Sequence, residues 1–235
     1  MFGHLAPPSD VTVDVPASDW FVVPGAVPRS AAERVALADV YEGYLRPPDI
    51  HTSEQAPIVL AHVPIWRVDV SVEGFHVGLT RDQPRGSLLP TGGVRHRDEI
   101  VLVLARRLLP FDPTAKLEIA PRELVPRQRG RAVEGEVIAP DVSRRDAERE
   151  ATDRLRRKVE PSQALYSKFD AHVRAAQLVH YPLWVLRYRY SGEARKDAAP
   201  EECHVAVSAR TGKIVSAHHP SALRSVAEKV KGWFK

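Results

Sequence analysis

Hydrophobic and polar positions alternate along much of the chain, and two stretches carry nearly the same pattern. His62-Val63-Pro64-Ile65-Trp66-Arg67-Val68 and His180-Tyr181-Pro182-Leu183-Trp184-Val185-Leu186 share His, any residue, Pro, a branched aliphatic, Trp, any residue and an aliphatic. A strand read over Ile58 to Val72 puts Pro64, Trp66, Val68 and Val70 on one face, with Arg67, Asp69 and Ser71 on the other. A second strand, Val179 to Tyr190, groups Pro182, Trp184, Leu186, Tyr188 and Tyr190 against Arg187 and Arg189. Proline cannot donate to a ladder, which assigns Pro64 to a strand entrance, bulge or edge. Glu73-Gly74 reads as a hairpin turn that folds Phe75 to Leu79 back on the first strand, with His76 beside Ser71. Gly92-Gly93 reads as another turn, leading into the most hydrophobic strand, Glu99 to Ala105.

Helical spacing predicts three helices. In the first, Ser30 and Glu33 form a capping box, Ala31, Val35, Ala38 and Tyr41 or Leu45 make the stripe, and Pro47-Pro48 stops it. The second runs from about Ser143 to Val159, with Ala147, Ala151, Leu155 and Val159 buried and its other positions almost all charged. Lys168 to Val179 reads as a short helix or connector. The last helix begins at Ser221, with Leu223, Val226, Val230 and Trp233 as its apolar stripe and Phe234 beside it.

The likeness extends beyond the two Pro-x-Trp stretches. Val27 to Arg34 matches Val142 to Arg149 upstream, and Phe75 to Thr80 matches Cys203 to Ser208 downstream, with only slightly drifting spacing. The expected fold is therefore α+β, an internal duplication of a helix plus antiparallel β-sheet unit, with a C-terminal amphipathic helix. Its layout is an N-terminal arm (1–25), a first repeat with a proline-rich link (26–126), a second repeat (127–220) and the final helix (221–235). Pro64, Trp66, Pro182 and Trp184 form the expected repeat core.

Composition narrows the function by exclusion. A chain of 235 residues with 43% hydrophobic and 27% charged residues can bury a sizeable core. One cysteine rules out an intramolecular disulfide, and no cysteine-based zinc site is expected. With no apolar run near the roughly 20 residues of a membrane span and no secretory leader pattern, the expected compartment is cytoplasmic. A net charge of +4 permits contact with anions without implying it.

The ten histidines show no His-x-His, His-x-x-x-His or His-Glu-x-x-His spacing. Cys203 sits at a core-facing position matched by Phe75, the carboxylates lie in helix faces and turns, and no nucleophile elbow or phosphate loop is present. Alternation separates Arg187 and Arg189 from the aromatics, which disfavours a base-stacking nucleic-acid surface. No catalytic, cofactor-binding or metal residue is expected. The candidate interaction surface is Leu223, Val226, Val230, Trp233 and Phe234. These features favour a non-enzymatic protein-binding, scaffold or accessory module whose partner is another protein or a second copy of the chain. Membrane contact is open only to residues 221–235.

The ending Val205-Ala206-Val207-Ser208-Ala209-Arg210-Thr211-Gly212-Lys213-Ile214-Val215 resembles that of a PepSY-type module, with Ser208 where an aspartate is usual. Residues 21–216 more broadly resemble uncharacterised bacterial proteins that follow an N-terminal zinc ribbon with two aromatic-x-Pro-x-Trp strands. The ribbon has no counterpart here, given one cysteine. The resemblance implies a helix-plus-sheet unit and, as an alternative function, peptide binding or restraint of a protease.

Overall fold

The computed structural model describes residues 20–42, 46–47, 49–81, 88–127, 133–160, 164–191 and 200–220. In chain order the main elements are β1 (Trp20–Val22), α1 (Arg29–Glu42), β2 (Glu54–Gln55), β3 (Val59–Arg81), β4 (Leu88–Leu104), β5 (Val125–Pro126) and β6 (Glu136–Val137). After them come α2 (Arg144–Val159), β7 (Ala164–Tyr190), β8 (Glu201–Ser208) and β9 (Ile214–His218). The expected final helix, with Leu223, Val226, Val230, Trp233 and Phe234, lies outside the described residues, as does most of the expected arm. Among the described residues no helix is long and apolar enough to cross a membrane.

The α+β expectation, a duplicated helix-plus-sheet unit, is overturned. The described residues are 50% strand and 22% helix, with one mixed nine-stranded sheet and two α-helices among them. The reason is that the two Pro-x-Trp stretches pair with each other. β3 and β7 run antiparallel from Val59↔Val185 to Gly78↔Ala164, so neither half closes on itself. α1 also lies on strands of the other half, and α2 lies mainly on β3 and β4 of the other half and partly on β7. Ala32, Ala36 and Val40 of α1 pack with Trp184, Leu186, Tyr188, Val205 and Val207, whereas Ala147, Ala151, Leu155 and Val159 of α2 pack with Trp66, Val68, Val70, Val101 and Phe169.

The buried stripe of α2 is the expected one, and Ser143 caps it by accepting from the Asp146 amide at 3.1 Å. In α1 the buried face is Ala32, Ala36 and Val40 rather than the expected stripe, and Ser30 is the second helical residue rather than the cap.

Three further expectations fail for one cause, the great length of β3, β4 and β7. Glu73-Gly74 is no turn. Gly74 lies mid-strand, paired with Arg95 on one side and Phe169 on the other. A Cβ there would stand 2.7 Å from the Phe169 Cα, so glycine answers a close approach of backbones. Gly92 and Gly93 likewise lie within β4, opposite Val77 and His76. Lys168 to Val179 is part of β7, because pairing with β3 overrides local preference.

Both prolines sit where the outer neighbour of their strand changes. β3 pairs with β6 at Ala61 and His62 and with β4 from Ile65 onward, which leaves Pro64 at the seam. β7 pairs with β1 up to His180 and with β8 from Leu183, which leaves Pro182 at the matching seam. The missing N–H costs no ladder bond there, while each proline carbonyl accepts an amide, from Ala105 at 2.9 Å and from Ala209 at 3.0 Å.

The sheet face away from the helices is covered by the segment between β4 and β5. Its Leu109, Phe111, Leu117 and Ile119 pack on Val63, Ile65, Tyr181, Leu183 and Val185. Arg67, expected on a solvent face, is buried under that segment and donates to the Ile119 carbonyl at 3.3 Å and to Gln177 Oε1 at 3.2 Å.

Candidate functional site

Alternation along β3 and β7 sends Trp66 and Trp184 to the helix-covered face, and with them His62 and His180, four residues earlier in each strand. Both tryptophans are buried, and their indole N–H groups make equivalent bonds, Trp66 to the Val142 carbonyl and Trp184 to the Val27 carbonyl, each 2.9 Å. Those carbonyls lie just before α2 and α1. Antiparallel pairing sets His62 opposite Pro182 and His180 opposite Pro64, which brings the two histidines together between the helices.

His180 is 1% exposed, and neither ring nitrogen makes a hydrogen bond of normal geometry among the described residues, the Ile138 backbone being a weak polar contact. Burial, followed by the charges of Arg127 and His62, lowers its pKa to about 4, against a smaller opposing pull from the Ile138 backbone. His62 donates through Nε2 to the Glu134 carbonyl at 2.9 Å, and its buried Nδ1 is unpartnered. Its pKa is also lowered, chiefly by burial. The Trp20 ring tilts against His180 at 5.3 Å, Arg127 lies 5.0 Å above Trp20, and the Trp20 Nε1 is a further unpartnered donor.

Beside this group opens a cleft of about 670 Å³. One wall is the connection from β1 to α1, Val23 to Pro28. The other is formed by Val125, Pro126, Arg127, Val133 and Glu134, and Leu60, His62, Pro182 and Trp184 supply the floor. Arg29 stands at the rim. Size and lining are those of a ligand site, apolar with a few convergent polar groups.

A second polar group lies at the end of β8. The Tyr188 hydroxyl contacts His219 Nδ1 at 2.6 Å, and His219 Nε2 contacts Asp39 Oδ2 at 2.7 Å. A carboxylate only accepts, so Nε2 carries the proton and Tyr188 donates to Nδ1. Tyr188 also meets Cys203, which is buried and near Glu201 and His218. A third feature is apolar. Phe75, Val77, Val94 and Tyr166 are exposed neighbours on the open face of the β3–β4–β7 arm, where Phe75 and Tyr166 touch at 5.7 Å.

Of the residues singled out in sequence, Pro64, Trp66, Pro182 and Trp184 are each buried, Trp66 in the core beneath α2 and Trp184 in that beneath α1, and Pro182 and Trp184 line the cleft. His76 lies far along β3 from His62 and does not meet it. His180 and His204 also stay apart, since the β8 partner of His204 on β7 is Arg187. The pairing of His62 with His180 had a signal in the repeated letters, but not its register. The meeting of Glu201 and Cys203 with His218 was signalled by the alternate positions of the first two on a strand. Set beside known proteins, the chain matches no protein-family model, no curated protein and no solved structure.

Proposed function

We propose that this chain is a non-enzymatic protein-binding module, an accessory or scaffold subunit that takes an extended acidic segment of a partner protein into its cleft. The observation that carries this reading is an apolar cleft with His62, Arg29 and Arg127 in its lining, backed by a cluster of buried polar groups in which His62 Nδ1 and Trp20 Nε1 have no partner among the described residues. Each such atom costs about 1–3 kcal/mol when left unmade. A bound chain would meet His62 in the lining, while His180 and Trp20 stand behind it. Arg29 and Arg127 favour carboxylates, while Leu60, Val125 and Trp184 accept apolar side chains. The described lining has no hydroxyl or thiol, which supports binding over covalent catalysis. The exposed apolar arm around Phe75 and Tyr166 fits the same reading, because such patches mark contact surfaces.

In the narrower form implied by the PepSY resemblance, the bound segment belongs to a protease or its substrate. A single buried thiol, Cys203, fits a reducing compartment such as the cytoplasm. Selection from a library of displayed peptides tests the proposal. Enriched sequences should be acidic and extended, and should bind the double variant Arg29→Glu/Arg127→Glu at least tenfold more weakly. Peptides that bind both forms equally would remove the cleft from the reading.

A further inference from the structure

We propose that Glu201, Cys203 and His218 form a binding site for one zinc-class divalent cation. Glu201 and Cys203 are alternate residues at the start of β8, so their side chains leave the same face of that strand. β9 pairs His218 with His204, one residue past Cys203, where its ring stacks at 6.1 Å on that of His204. The candidate donor atoms of the three side chains all lie within 4.8 Å of one another. Glu201 Oε1 and His218 Nε2 are already 3.3 Å apart. Metal–donor distances of about 2.0–2.3 Å in a tetrahedral site put neighbouring donors roughly 3.3–3.7 Å from each other. The longest of the present separations therefore closes by about 1 Å, within the reach of a glutamate and a half-exposed histidine.

The donor set is selective. Thiolate, imidazole and carboxylate together suit zinc and cobalt and are a poor match for magnesium or calcium, which take oxygen. Three protein donors leave a fourth position for water or for a group on a bound partner. The site also has an entrance and a backing. The His218 side chain is 55% exposed, whereas Cys203 is buried. Behind the thiol lies the Tyr188 hydroxyl, the start of a chain of bonds through His219 to Asp39. This site shares no residue with the cleft, so it stands or falls separately from the binding reading.

The test uses the full chain, without a histidine tag, stripped with a chelator and titrated with Co²⁺. The expected result is one tightly bound ion per chain, with a thiolate-to-cobalt charge-transfer band in the near ultraviolet. Cys203→Ser should abolish that band, and His218→Ala and Glu201→Gln should each weaken binding roughly 10–100-fold. His218→Ala changes a half-exposed side chain and Glu201→Gln keeps the shape of the glutamate, so both keep the fold testable if the buried cysteine does not tolerate serine. His172→Ala, at an exposed histidine elsewhere, should change nothing. A titration without the charge-transfer band overturns the proposal, as does undiminished affinity in both His218→Ala and Glu201→Gln.

Discussion

Ser208 shows how much one small side chain can hold. It is fully buried, and its Oγ lies 3.2 Å from the Arg210 amide, 3.1 Å from the Thr211 amide and 2.8 Å from the Tyr181 hydroxyl. Two amides fill the lone pairs, which leaves the serine O–H to donate to Tyr181. Ser208→Ala should lower unfolding stability by about 1–3 kcal/mol in urea denaturation, because it strands buried partners rather than removing a pair. A loss below about 0.5 kcal/mol would mean that water replaces the hydroxyl. The sequence pointed at this residue only as a departure from the aspartate of the PepSY-type ending. Its role follows from the turn it closes, ahead of Gly212 at φ 73°. Single residues were legible where one pattern dominated. Four apolar positions among charges mark the inner face of α2. The alanine-rich α1 offers two plausible stripes, and only contact with Trp184 and Val207 selects Ala32, Ala36 and Val40.

At the level of elements, the glycines misled and the tryptophans did not. A glycine in a strand pattern signals either a turn or a close approach, and the letters are the same for both. Gly74→Ala separates these meanings. At a solvent-exposed hairpin turn with ordinary φ, alanine would cost little. Between β4 and β7, the added methyl meets the Phe169 backbone and must push β7 away. The expected loss is about 1–3 kcal/mol, with amide exchange accelerated first in Ser167 to Ala171. Unchanged protection in that stretch would restore the turn. The same long-range pairing explains why Lys168 to Val179 looked unlike a strand. Its alanines and charges face an arm with exposed edges, and only Phe169, Ala176, Leu178 and Val179 reach the core. The helix-on-opposite-half arrangement was likewise invisible, since sequence order says nothing about which hairpin a helix crosses to cover.

For the molecule as a whole, the central histidines tie stability to pH. His180 is a fully buried imidazole whose pKa is lowered to about 4 by burial first, then by Arg127 and His62, and His62 is shifted the same way. An unfolded histidine titrates near 6.5. Between those values the unfolded chain binds protons that the folded chain refuses, so the contribution of His180 is complete above pH 6.5 and drains away toward pH 4. The slope approaches about 1.4 kcal/mol per pH unit for one such histidine. Asp98, held near 2 by hydrogen bonds from Arg174 and then Ser71, changes protonation below this window and does not confuse it. Urea denaturation at intervals from pH 7 to pH 4.5 should therefore show stability falling with acid. The variant His180→Gln, which cannot take up the proton, should lose close to one proton's worth of that slope. Acidic peptide bound in the cleft opposes the effect if its carboxylates reach the histidines, because a charged partner favours the protonated ring. Equal slopes in the intact chain and His180→Gln would show that the pair is hydrated in solution and that its missing partners are water molecules, not a bound chain.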